Sequence, residues 1–78
     1  MNFSVEISND IYPKRIVSEA KMAFKDYALF EVSLKDAGTI CLKIVPLEKY
    51  AGAEREIVLS FLNYMLDLSA NYHLKKEQ

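Results

Sequence analysis

The residues able to do chemistry in this 78-residue chain are few and widely spaced. His73 is the single histidine and Cys41 the single cysteine, whereas metal sites usually combine several such ligands. A catalytic thiol at Cys41 would need a neighbouring base, and the sequence offers none. The simpler interpretation makes Cys41 a small apolar strand residue and His73 a residue at a helix end.

Carboxylates and glycines add no catalytic pattern. Glu54 and Glu56 open a helix, where acidic side chains complement the positive end of the helix dipole, and Asp36 lies in a turn. Gly38 and Gly52 are the two glycines, which nearly excludes glycine-rich phosphate-binding loops. We therefore expect a chain that is not an enzyme, with no catalytic residue, no metal site and no cofactor.

Length and charge restrict the partners. The chain is short enough for one domain, and its net charge of -1 provides no field for phosphate backbones, so we expect no nucleic-acid partner. A small nucleic-acid binder stays open as an alternative because one helix side is basic. The basic residues on that helix side are Lys14, Arg15, Lys21 and Lys25.

The sequence predicts a cytoplasmic protein without membrane contact. It has a lone cysteine and no signal-peptide pattern, and no apolar run approaches the ~20 residues of a membrane span.

Alternation of apolar and polar residues predicts three half-buried strands. A spacing of three and four predicts a first helix over residues 13–25, and a second, longer helix runs from about residue 51 or 53 to 74. Lys35 to Gly38 reads as a hairpin loop. The apolar strand residues are Phe3, Val5 and Ile7; Phe30, Val32 and Leu34; and Ile40, Leu42 and Ile44.

The order β-α-β-β-α predicts a two-layer α+β domain. We expect a three-stranded mixed sheet in the order 1-3-2, with both helices on its apolar face. Residues 1–74 form this single domain, and residues 75–78 form a frayed tail.

The long helix carries more apolar surface than one sheet can cover. One edge, through Ile57, Phe61, Met65 and Leu68, is expected to pack on the sheet. The other edge is left for the first helix or another chain, and a narrow polar stripe beside it could fix the register of a partner helix. We predict partner binding there, at Leu59, Leu62, Asn63, Leu66 and Asp67. A merely broad core and a solvated polar stripe are the alternatives.

Two runs of the chain resemble the small HxsD-like proteins of the His-Xaa-Ser system. Asp10-Ile11-Tyr12-Pro13 precedes the first helix, and Phe61-Leu62-Asn63-Tyr64-Met65-Leu66-Asp67 lies in the last one. The chain departs from the resemblance after Asn63. The resemblance implies an accessory component encoded with radical-SAM enzymes that modify a peptide bearing His-Xaa-Ser repeats, and no catalytic residue is carried over.

Two functions follow as hypotheses. The first is a non-catalytic adaptor that binds a radical-SAM maturase or its peptide through the long helix, which is what the resemblance implies. The second is a self-associating homodimer of small structural domains, since chains of this size often gain stability by association.

Overall fold

A computed structural model describes residues 2–77, with side chains described for residues 2–74. In chain order the elements are strand β1 (Phe3–Ser8), helix α1 (Lys14–Ala23), strand β2 (Ala28–Asp36), strand β3 (Thr39–Pro46), a short 3-10 turn (Glu48–Tyr50) and helix α2 (Glu54–Glu77). This β-α-β-β-α order confirms the predicted α+β class.

The three strands form one sheet in the order β1-β3-β2, as the sequence predicted. Phe3 pairs with Ile44 and Ser8 with Thr39, while Ala28 pairs with Pro46 on the other side of β3. Both hydrogen-bonded pairs are antiparallel. The predicted strand order is therefore confirmed, but the expectation of a mixed sheet is wrong. β1 and β2 run in the same direction, yet β3 lies between them, so every pair of neighbouring strands is antiparallel.

The core lies between one face of this sheet and the two helices. Ile40, Leu42 and Ile44 alternate along β3 and are at most 1% exposed. The same core cluster contains Val17 and Ala20 of α1. It also contains four residues of α2, so both helices cover the face that the alternation of apolar residues predicted. These four are Ile57, Val58, Phe61 and Met65.

The apolar face of β2 is only partly covered, which corrects one expectation. Val32 and Leu34 share a face with Leu42 and Ile40 through the β2–β3 register, yet they are 41% and 69% exposed. Helix α1 has only 10 residues, so it is about 15 Å long and covers a limited stretch of the sheet. The outer half of β2 therefore presents apolar side chains to solvent.

The loop before α2 depends on a glycine. Gly52 has a φ of 95°, a backbone conformation that L side chains rarely adopt. Its amide donates a 2.7 Å hydrogen bond to Oε1 of Glu54, the first residue of α2. Hydrogen bonds from the amides of Glu54 and Gly52 lower the pKa of the Glu54 carboxyl below its ordinary value. Gly52 thus forms the turn that leads into α2.

Replacing Gly52 with alanine is expected to lower the free energy of unfolding by about 1 kcal/mol. A Cβ at this position meets nothing within 4 Å, so the whole cost comes from the positive φ. Gly38→Ala is a matched control, because its Cβ also meets nothing and its φ is not positive. The control should be neutral or stabilise by up to about 1 kcal/mol. Urea denaturation measures both, and equal effects would contradict the argument.

The predicted boundaries differ slightly from the observed ones. Pro13 precedes α1 rather than opening it, and α1 ends at Ala23, two residues before the predicted end. The predicted tail, residues 75–78, falls at the end of α2, whose backbone is helical to Glu77. Gln78 lies outside the described residues.

Candidate interaction surface on the long helix

One side of α2 is committed to the core. Ile57, Phe61 and Met65 recur every four residues, and all three are buried. Leu68 is half-buried and packs against the same cluster. This is the edge that the helical periodicity assigned to the sheet, and the structure confirms it.

Aromatic rings fix how α2 meets the end of α1. The ring of Phe61 lies 4.6 Å from that of Phe30 and 5.5 Å, edge to face, from that of Phe24. Phe24 also contacts Tyr64 with a centroid distance of 5.6 Å. At about 100° per residue, Tyr64 lies about 160° round the helix from Leu66. The end of α1 therefore meets the side of α2 away from Leu66.

The opposite edge of α2 remains open, and we call it the α2 edge. It consists of the residues that the sequence singled out for partner binding. Leu59 and Leu66 are 51% and 54% exposed, so neither α1 nor the sheet covers them. Leu62 is half-buried against the core, and Asn63 and Asp67 are exposed. The α2 edge comprises Leu59, Leu62, Asn63, Leu66 and Asp67.

The spacing along the α2 edge suits a partner helix. Leu59, Leu62 and Leu66 follow one another at intervals of three and four, which places them in one row on the helix surface. Asn63 lies beside this row, four residues from Asp67 and on the same side. A leucine row with one asparagine is the pattern by which helix pairs combine apolar packing with a fixed register.

A buried serine in the C-terminal half of α2 contacts the loop between β1 and α1. Ser69 is 3% exposed, and its Oγ donates a 2.7 Å hydrogen bond to the carbonyl oxygen of Ile11. Nε2 of His73 lies 3.3 Å from the same oxygen. The two contacting segments are 58 residues apart, and no local pattern marks such a contact, so sequence reasoning missed it. His73 is thus a helix residue facing the loop between β1 and α1.

Ser69→Ala is expected to cost about 1 kcal/mol relative to Ser60→Ala on the exposed side of the same helix. Both changes improve intrinsic helix propensity by about 0.5 kcal/mol, and only the first removes a buried hydrogen bond. The difference between the two variants in thermal or urea unfolding therefore isolates the contact with Ile11. A difference near zero would mean that water replaces the lost hydroxyl.

The other candidate chemical groups lie on the outer face of the sheet. Cys41 is a free, half-buried thiol in β3. Glu6 of β1 and Lys35 of β2 form a 2.9 Å ion pair. The hydrogen bond to Glu6, followed by its charge, raises the pKa of Lys35 above its ordinary value. Among the side chains that the structure describes, residues 2–74, no three of His, Cys, Asp or Glu converge to form a potential metal site.

The basic side of α1 is interrupted by acid. Nε of Arg15 lies 3.7 Å from a carboxylate oxygen of Glu19, and both side chains are well exposed.

Among the described residues, no helix is long and apolar enough to cross a membrane.

Comparison with known proteins adds no relative. No family model matches the chain, and neither the curated proteins nor the solved structures yield a match. The resemblance to the HxsD-like proteins therefore stays a prediction carried by two short runs of residues.

Proposed function

We propose that the chain is a non-catalytic interaction module that binds a helix of another protein along the α2 edge. The observation that supports it is the exposure of Leu59 and Leu66, 51% and 54%, in one row with the half-buried Leu62. A fully buried leucine gains about 1.5–3 kcal/mol over an exposed one, so covering both leucines favours association. Contiguous exposed apolar residues of this kind usually mark interfaces.

The partner is proposed from the resemblance rather than from the surface itself. In an HxsD-like role the chain would be an adaptor for a radical-SAM maturase or for its His-Xaa-Ser peptide. Asn63 would pair with a polar group of the partner helix, and Leu59, Leu62 and Leu66 would pack on apolar residues of that helix.

A second copy of the chain is the other candidate partner. The row of leucines beside Asn63 matches what two identical helices use when they pair about a two-fold axis. The α2 edge would then be a homodimer interface, and the adaptor role would need a separate surface.

Co-purification and sedimentation test these alternatives together. A tagged chain is purified from the source cells, its companions are identified, and each is reconstituted with the pure chain to obtain a Kd. A radical-SAM enzyme or a His-Xaa-Ser peptide bound through the α2 edge supports the adaptor. A concentration-dependent dimer in sedimentation velocity supports self-association. Both functions are contradicted if the chain is a strict monomer at micromolar concentration and binds neither a radical-SAM enzyme nor a His-Xaa-Ser peptide.

A further inference from the structure

A second surface, separate from the α2 edge, lies between α1 and β2. A groove of about 360 Å³ runs between them, and no residue of α2 lines it. Its wall on the helix side consists of residues spaced three and four apart, which therefore share one side of the helix and its following turn. The lining residues are Ser18, Lys21, Met22, Lys25, Ala28, Leu29 and Phe30.

The groove follows the free edge of the sheet. Leu29 and Phe30 are consecutive strand residues, so their side chains point to opposite faces. A groove lined by both must run along the edge of β2, and the other edge of β2 is hydrogen-bonded to β3. Alternate backbone N–H and C=O groups of β2 point away from β3. The amide of Ala28 donates to the carbonyl oxygen of Phe24, and the outward groups farther along β2 are available to another strand.

The walls of the groove combine exposed apolar groups with positive charge. Met22 and Leu29 are 67% and 63% exposed. Lys21 and Lys25 are the charged residues of the lining, and no carboxylate accompanies them there. Within the described part of the chain, the ion pairs involve Arg15, Lys35 and Lys43, so neither lysine of the groove has an acidic partner.

We propose that this groove binds an extended acidic peptide by strand addition to β2. The peptide backbone would hydrogen-bond the free edge of β2, as in other recognition by β-augmentation. An apolar side chain of the peptide would pack on Leu29, which points to the face of the sheet away from α1 and is 63% exposed. Neighbouring carboxylates would meet Lys21 and Lys25, which select acidic over basic sequences and accelerate the encounter.

The probe is a short fluorescent peptide of alternating glutamate and valine, capped at both ends. Fluorescence anisotropy measures its binding to the protein. A matched peptide has lysine in place of glutamate, and another has serine in place of glutamate with a free C-terminal carboxylate. We expect the glutamate peptide to bind more tightly than the lysine peptide by at least about tenfold. Binding of the serine peptide alone would assign the carboxylate to a chain terminus instead of side chains.

The double variant Lys21→Glu/Lys25→Glu reverses the charge of the groove. It should weaken binding of the glutamate peptide by at least about tenfold. The single variant Lys25→Glu, at an exposed position, should act in the same direction if the double variant folds poorly. Lys14→Glu/Lys49→Glu is the matched control, because it changes the net charge equally at exposed lysines outside the groove. Equal losses in both double variants would reduce the effect to net charge and overturn the site.

Amide hydrogen exchange locates the contact. The glutamate peptide should protect alternate amides of β2 and leave the amides of α2 unchanged. If the amides of β2 become protected as the protein concentration rises in the absence of peptide, a second copy of the chain occupies the edge. That result would overturn the proposal. Failure of both the glutamate and the serine peptide to bind would overturn it as well. Leu59→Glu/Leu66→Glu should leave this binding intact, so failure here is distinguishable from failure of the α2 edge.

Discussion

Replacing Phe61 with alanine is expected to remove a large part of the domain's free energy of unfolding. Its side chain is 0% exposed and contacts the rings of Phe24 and Phe30. Truncating a buried phenylalanine leaves a cavity and typically costs about 3–5 kcal/mol. A 78-residue domain has roughly 4–12 kcal/mol in total, so the loss is about half of a mid-range stability.

Circular dichroism with thermal and urea unfolding measures this effect. In a domain of this size the loss corresponds to a fall in Tm of at least about 12 °C. Leu66→Ala is the matched control on the same helix, since Leu66 is already 54% exposed and its truncation should cost below about 1 kcal/mol. Similar effects of the two substitutions would mean that α2 does not bury the side that contains Phe61.

Placing glutamates at Leu59 and Leu66 is expected to abolish partner binding while the fold survives. An interface formed on these side chains would then bury two unpaired charges, which weakens a Kd by at least about 100-fold. The free chain has no such cost, because both positions are about half exposed and water can solvate the carboxylates. The measurement is the Kd for the identified partner, or the dimer constant from sedimentation.

Ala23→Glu supplies the comparison for this double variant. Ala23 is exposed at the end of α1, outside the α2 edge, so a negative charge there changes the surface without entering the leucine row. The Kd should then change little. If Leu59→Glu/Leu66→Glu binds as tightly as the unmodified chain, the α2 edge is not the interface; if it unfolds, the two leucines belong to the core.

The fold could be predicted from the sequence because its strands alternate strictly and its helices repeat at three and four residues. The period assigns each side chain to a face, as for Ile40 and Leu42 on the buried face of β3. It does not say how far a neighbouring element reaches along that face. Val32 and Leu34 show the difference, since they have the right period but lie where the 10 residues of α1 give little cover.

The candidate surfaces were likewise predictable only where the periodicity of a single element marks them. Leu59 and Leu66 were marked by helical spacing alone, and the structure adds that α1 meets another side of α2. The groove at Lys21 and Lys25 was not foreseen, because it needs a helix face and a strand edge to be placed side by side. The contact of Ser69 with Ile11 was missed for the same reason: it joins segments 58 residues apart.

The position of β1 in the sheet implies an order of assembly. Pairs between β2 and β3 span from 3 residues, at Asp36 and Thr39, to 18, at Ala28 and Pro46. Pairs between β1 and β3 span from 31 residues, at Ser8 and Thr39, to 41, at Phe3 and Ile44.

Closing the longer loop costs more chain entropy, so the hairpin of β2 and β3 should form first and β1 should join last. A strand that docks last is the one most easily exchanged, and at high protein concentration β1 of one molecule could complete the sheet of another.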